Sequence, residues 1–114
     1  MKVFSSHASE QAETARSIEI ALRGEGHSVF LDRSSLSPGE TYNDQIREAI
    51  ARCDVFIFLI SPEAIARGRY TLTELEFVEQ KWPHPSGGVL PVVVSPTDLA
   101  SVPAYLKGVT LLEP

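Results

Sequence analysis

An open parallel α/β sheet is the fold this sequence predicts, on three observations. Strand-like and helix-like stretches alternate in a βαβαβα order, the pattern of parallel strands joined by helical crossovers. The run VFIFLI at 55–60 is apolar without interruption, as a strand buried on both faces must be. The chain has 114 residues, 43% apolar and 22% charged, a globular composition sized for one core and too small for two. A single domain over 1–114 is therefore expected.

The first strand is expected over KVFS at 2–5. A helix follows, with Ala12, Ala15, Ile18 and Leu22 at three- and four-residue spacing. Ser9 is its expected N-cap, and Glu10 and Glu13 lie in the first turn, where the helix dipole favours carboxylates. Gly24 and Gly26 stop it, because glycine accepts the left-handed conformation of a C-terminal cap. SVFLD is the second strand, ending at Asp32, and RSSLSPGE after it has the serine, proline and glycine density of an ordered loop.

The second helix starts near Thr41 and sets Tyr42, Ile46, Ala49, Ile50 and Cys53 on one face, which is expected to lie on VFIFLI. The third helix runs from about Thr71 to Trp82, and PHPSGG ends it. VLPVVV is the fourth strand, with Pro91 marking a bulge or an edge. SPTDLASVPAYLKG reads as a loop with one helical turn, and VTLL as a short fifth strand. The chain stops two residues later at Pro114, where a closing helix is expected, so the domain is either minimal or cut from a longer multidomain protein.

Charge and cysteine usage narrow the function classes. The net charge is -5 and no basic patch offsets it; Arg67 and Arg69 read as a solvated loop pair, so nucleic acid is not expected as a direct ligand. Cys53 is the only cysteine, which excludes an intrachain disulfide and a multi-thiolate zinc site and suits a reducing cytoplasm. His7, His27 and His84 have no ligand spacing, so no metal is expected. MKVFSSH is not a signal sequence and no stretch approaches a membrane span, so a cytoplasmic location without membrane contact is expected.

Ligands of open parallel sheets bind beyond the carboxyl ends of the strands. SSHAS, DRSSLSPGE, SPEAIARGRY and the turn after VLPVVV occupy that rim here. On a wheel of the third helix, Leu72, Leu75 and Trp82 define the main buried stripe. Glu74 falls to one side of it, among Tyr70, Phe77 and Val78, while Glu76 and Glu79 read as solvent-facing. A carboxylate on an apolar shoulder acts strongly on a nearby cation; equally, an acidic residue near a helix start complements the dipole. Spacing leaves both readings of Glu74 open. Nucleotide-binding, hydrolase and metalloprotease signatures are absent, and Ser6 beside His7 is no nucleophile–base pair, since strand neighbours point opposite ways.

Three segments together resemble the TIR (Toll/interleukin-1 receptor) domain of the bacterial type. KVFSSHAS is similar to the family's first box. VFLDRSSLSPGE is similar to the second, with its Asp, Leu and Pro-Gly. SPEAIARGRYTLTELEF is similar to the third region, where a serine-led loop reaches an aromatic residue and, four residues on, a glutamate followed by leucine. Tyr70 stands where the family often has tryptophan, Thr71 where cysteine or a small residue is common, and Ser5 where an aliphatic residue is usual.

The resemblance implies a flavodoxin-like open parallel five-stranded sheet, order 2-1-3-4-5, with helices on both faces. It implies NAD+ cleavage and TIR–TIR self-association, with a fused sensor or effector domain as further partner and NAD+ as substrate with no added cofactor. By the same resemblance Glu74 is the catalytic residue and Tyr70 a packing face for nicotinamide or ribose. Ser6 and His7 hold ribose or phosphate, Asp32 closes the rim, Arg33 meets the pyrophosphate, and Leu36 borders the substrate. Leu36, Pro38 and Gly39 form the tip of the self-association loop. Each has a structural alternative: His7 and Arg33 solvated, Asp32 capping its loop, Tyr70 closing the core edge. Two other functions stay open, a non-catalytic TIR interaction module and a nucleoside 2-deoxyribosyltransferase-like enzyme.

Overall fold

Four parallel strands in the order β2-β1-β3-β4 form the middle layer of the computed structural model, which describes residues 1–31 and 42–113. The strands are β1 (Lys2–Ser6), β2 (Ser28–Leu31), β3 (Val55–Ile60) and β4 (Val89–Val93). Helices α1 (Ala12–Gly24), α2 (Tyr42–Arg52) and α3 (Tyr70–Lys81) connect them.

Side-chain alternation sorts the core onto two faces. Phe4, Phe56, Phe58 and Ile60 pack with Ile46 and Ile50 of α2 and Leu75 and Val78 of α3. Val3, Val29, Ile57 and Leu59 pack against Ala15 of α1. The parallel register sets Phe30, Phe4 and Phe56 side by side, and their rings stack at centroid distances of 5.1 and 5.3 Å. VFIFLI is the buried centre of the sheet, as its unbroken apolarity requires; Phe56 to Ile60 are all buried.

Three expectations about elements need correction. SPTDLASVPAYLKG carries two 3-10 turns, Leu99–Ser101 and Leu106–Gly108, and not one. VTLL does not form a fifth strand: it contributes one parallel bridge, Leu112 to Val92, in which Val93 N–H donates to Leu112 O (2.7 Å) and Leu112 N–H to Pro91 O (2.9 Å). The next rung would need an N–H from Pro91, and proline has none. Pro91 therefore marks the outer edge of β4 and truncates the ladder there. Likewise Ser9 does not cap α1. Ser9–Gln11 form a 3-10 turn with no capping bond from Ala8, and the α-helix begins at Ala12. Past its other end Gly26 takes the left-handed conformation at φ 91°, as expected of a glycine stop.

Candidate active site

The carboxyl end of β1 and the first turns of α3 build the site. β1 is a central strand, paired on one side with β2 and on the other with β3, where Ser6 stands opposite Phe58. Ser6 and His7 are thus delivered from a rigid part of the fold. Both are buried, Ser6 completely.

The loop from Ser61 to Arg69 then sets how α3 is rolled. The Ser61 hydroxyl accepts the Ala64 N–H (3.1 Å) and donates to Gln11 Oε1 (2.9 Å). Gln11 Nε2 donates in turn to Glu63 Oε1 (3.0 Å), and Arg69 pairs with Glu10. Donation from Arg69 is the main reason the Glu10 carboxyl is held below the usual glutamate range, and Glu10 in turn raises Arg69. Arg69, expected as one of a solvated loop pair, is ion-paired with Glu10 at the surface. Thr71, the second residue of α3, donates its hydroxyl to Ala64 O (2.5 Å). These contacts fold the loop back against the turn that follows β1.

With that roll, the buried face of α3 is Thr71, Glu74, Leu75 and Val78, whereas Leu72 and Trp82 are only half-buried. The wheel argument misplaced the stripe because it counts apolar residues as buried and cannot know that Thr71 has a partner. Glu74 lies in the middle of the buried face at 1% exposure, not at its shoulder. Glu76 and Glu79 are exposed. The Ser6 hydroxyl donates to Glu74 Oε1 at 2.6 Å, a short hydrogen bond within the ordinary range for a hydroxyl donor. One turn earlier, the Tyr70 hydroxyl donates to the backbone carbonyl of His7 at 2.5 Å. Ser6, the last residue of β1, and His7 just after it are therefore cross-linked to two residues one turn apart on α3.

Ser6, His7, Tyr70 and Glu74 come together in this way. Asp32, Arg33, Leu36, Pro38 and Gly39 lie outside the described residues. Sequence reasoning assigned no role to the side chains of Gln11, Ser61 and Thr71, which hold the loop; Gln11 reaches Ser61 and Glu63 across 50 and 52 residues, a pairing no local pattern reveals. Opposite charge on Glu10 and Arg69 was the one available signal. Among the described residues no three His, Cys, Asp or Glu side chains are grouped to hold a metal ion, and no described helix is long and apolar enough to cross a membrane.

Comparison with known proteins agrees with this architecture. The sequence model of the family described as TIR domain matches residues 3–112. No curated protein sequence matches significantly. Among solved structures, the TIR domain of the Toll-related receptor TRR-2 from Hydra magnipapillata superimposes with a TM-score of 0.77 at 21% identity, over 97% of this chain and 82% of that one. A metazoan TIR-STING receptor from C. gigas gives 0.78 at 20% identity, over 96% of this chain and 36% of the receptor. The TIR domains of the activated Roq1 resistosome, which directly recognises the pathogen effector XopQ, give 0.65 at 21% identity, over 81% of this chain and 56% of that chain. At these identities the likeness is one of fold.

Proposed function

The chain belongs to the TIR domain family, and from that premise we propose that it is an NAD+ glycohydrolase or ADP-ribosyl cyclase of bacterial defence signalling, switched on by self-assembly. The observation that carries the reading is Glu74, a carboxylate at 1% exposure beneath the strand ends where parallel sheets bind ligands. Burying a carboxylate costs several kcal/mol before its hydrogen bonds are counted, and an apolar residue would fill the same position more cheaply. A charge kept at such a cost in a ligand-binding region points to chemistry.

One carboxylate is sufficient for this reaction. Ordinary glycosides need a second carboxyl to protonate the leaving group; in NAD+ the nicotinamide is already cationic and departs as a neutral molecule. As the C1′–N bond breaks, its electron pair leaves with nicotinamide and positive charge develops on the ribose. Glu74, held in place beforehand, stabilises that charge electrostatically and accepts hydrogen bonds from ribose hydroxyls. Tyr70 offers an aromatic face beside it, and His7 lines the strand end. Water attacking C1′ gives ADP-ribose and a proton, whereas an adenine nitrogen or ribose hydroxyl of the same molecule gives a cyclic isomer.

The shielding of Glu74 also supports gating by assembly. Substrate reaches a carboxylate at 1% exposure only after neighbouring chain moves aside, and contact with a second domain through the Leu36–Gly39 loop is the means we assign to it. Nicotinamide release measured over a wide range of protein concentration, with Glu74→Ala alongside and products resolved by chromatography, tests the reading. More-than-linear release that vanishes in the variant supports it; no release from demonstrably assembled protein leaves an interaction module.

A further inference from the structure

We infer that Ser6 is the positioning residue of the site, orienting the Glu74 carboxylate and keeping it ionised, and is not a contact for ribose or phosphate. The inference rests on the NAD+-cleavage reading for its kinetic consequences, but the pairing itself does not. A serine hydroxyl has one proton to give, and Ser6 gives it to Glu74 Oε1 at 2.6 Å. Its side chain is fully buried and its single proton is committed to the carboxyl, so it has none to donate to a ribose or phosphate oxygen.

Ser6 is also well placed to act as a reference point. It closes β1, whose neighbours on both sides are hydrogen-bonded strands, whereas Glu74 sits on a helix whose roll is set through a loop. A carboxylate joined to the helix by three rotatable bonds needs one fixed donor to define its plane, and donors on strands hold geometry better than donors on loops. The Tyr70 bond to the His7 carbonyl, one turn before, keeps α3 from sliding along β1 and so preserves the Ser6–Glu74 distance. Because the donor favours the ionised form of its acceptor, one contact supplies both orientation and charge.

The test combines carbon-detected NMR titration of the Glu74 carboxyl with steady-state kinetics on NAD+, for the parent, Ser6→Ala and Ser6→Thr. In Ser6→Ala the midpoint of Glu74 should rise, the acid limb of kcat should move with it, and kcat should fall about tenfold with KM for NAD+ within twofold. Ser6→Thr, which restores the donor, should recover most of both. His7 and Tyr70, the titratable groups in the adjacent cross-link, are followed in the same samples so that a shift of theirs is not credited to the carboxylate. Ser6→Cys keeps the volume while donating weakly, and it carries the same readouts should the alanine variant not fold. An unchanged Glu74 midpoint, or a raised KM at constant kcat, would overturn the inference. A parent that releases no nicotinamide would defeat the enzymatic reading alone, and the titration would still decide the role of Ser6.

Discussion

Both ends of α3 are tied down by polar side chains, and the ties differ in kind. At its carboxyl end Lys81 donates to the carbonyls of Ile50, Ala51 and Cys53 at 2.9, 2.9 and 2.5 Å, with its ammonium 4.5 Å from the centre of the Trp82 ring. Those carbonyls close α2, where a helix leaves acceptors unsatisfied and concentrates negative dipole. A cation there answers a need of the fold. At the amino end the buried face of α3 is Thr71, Glu74, Leu75 and Val78, and there the carboxyl group accepts from Ser6 at 2.6 Å. Thr71 donates to a loop carbonyl and leucine and valine fill the core, so Glu74 is the one titratable group on that buried face. On the proposed reading, the first kind of polar burial serves the fold and the second serves the chemistry.

Substitutions at the two ends should therefore separate activity from stability. The largest effect is expected for Glu74→Ala, with NAD+ turnover falling on the order of 10²- to 10³-fold, the scale of losing a preorganised electrostatic group, while circular dichroism stays that of the parent. Next in size, Lys81→Met should cost about 2 kcal/mol, since three carbonyls lose a charged donor. Thermal melting would register this as a drop of roughly 8 °C, with turnover per folded molecule unchanged. Tyr70→Phe keeps the ring and removes the bond to His7, so chemical denaturation should report a loss of about 1 kcal/mol, accompanied by a few-fold drop in kcat.

The smallest effect is expected at the exposed Glu10–Arg69 pair. Arg69 lowers the folded-state pKa of Glu10, so the pair's contribution is present above the ordinary glutamate value and lost as pH falls through the lower folded value. Glu10→Gln should lower the melting temperature slightly at pH 7, and the difference should begin to shrink below about 4.5 and vanish once pH has fallen through the lower folded value. High salt should shrink it as well.

What was legible in the sequence follows the same division. β3 could be read outright, because an unbroken apolar run has one structural meaning in a chain of alternating strands and helices. The face of α2 that carries Ile46 and Ile50 could be read from its period. The roll of α3 could not, since it depends on Thr71 bonding to Ala64 and on Glu74 meeting Ser6, which is 68 residues away. Hydropathy treats both as surface residues. The failed fifth strand was half-visible: Pro91 advertised an edge, but only the observed register shows that its missing N–H faces outward and stops the ladder. At the site, spacing left Glu74 open and the resemblance of SPEAIARGRYTLTELEF supplied Tyr70 and Glu74 as candidates, while the bond from Ser6 to Glu74 is visible only in the folded chain.

Glu74→Gln tests the contrast between the two ends most directly, because it removes the charge and keeps the shape and an acceptor for Ser6. Unfolding free energy and nicotinamide release should be measured on the same preparations, at a concentration where parent and variant are equally assembled. The account predicts stability equal to or above the parent together with turnover reduced at least about a hundredfold. A variant destabilised by several kcal/mol that still cleaves NAD+ at the parental rate would contradict it, and would make Glu74 a structural residue like Lys81.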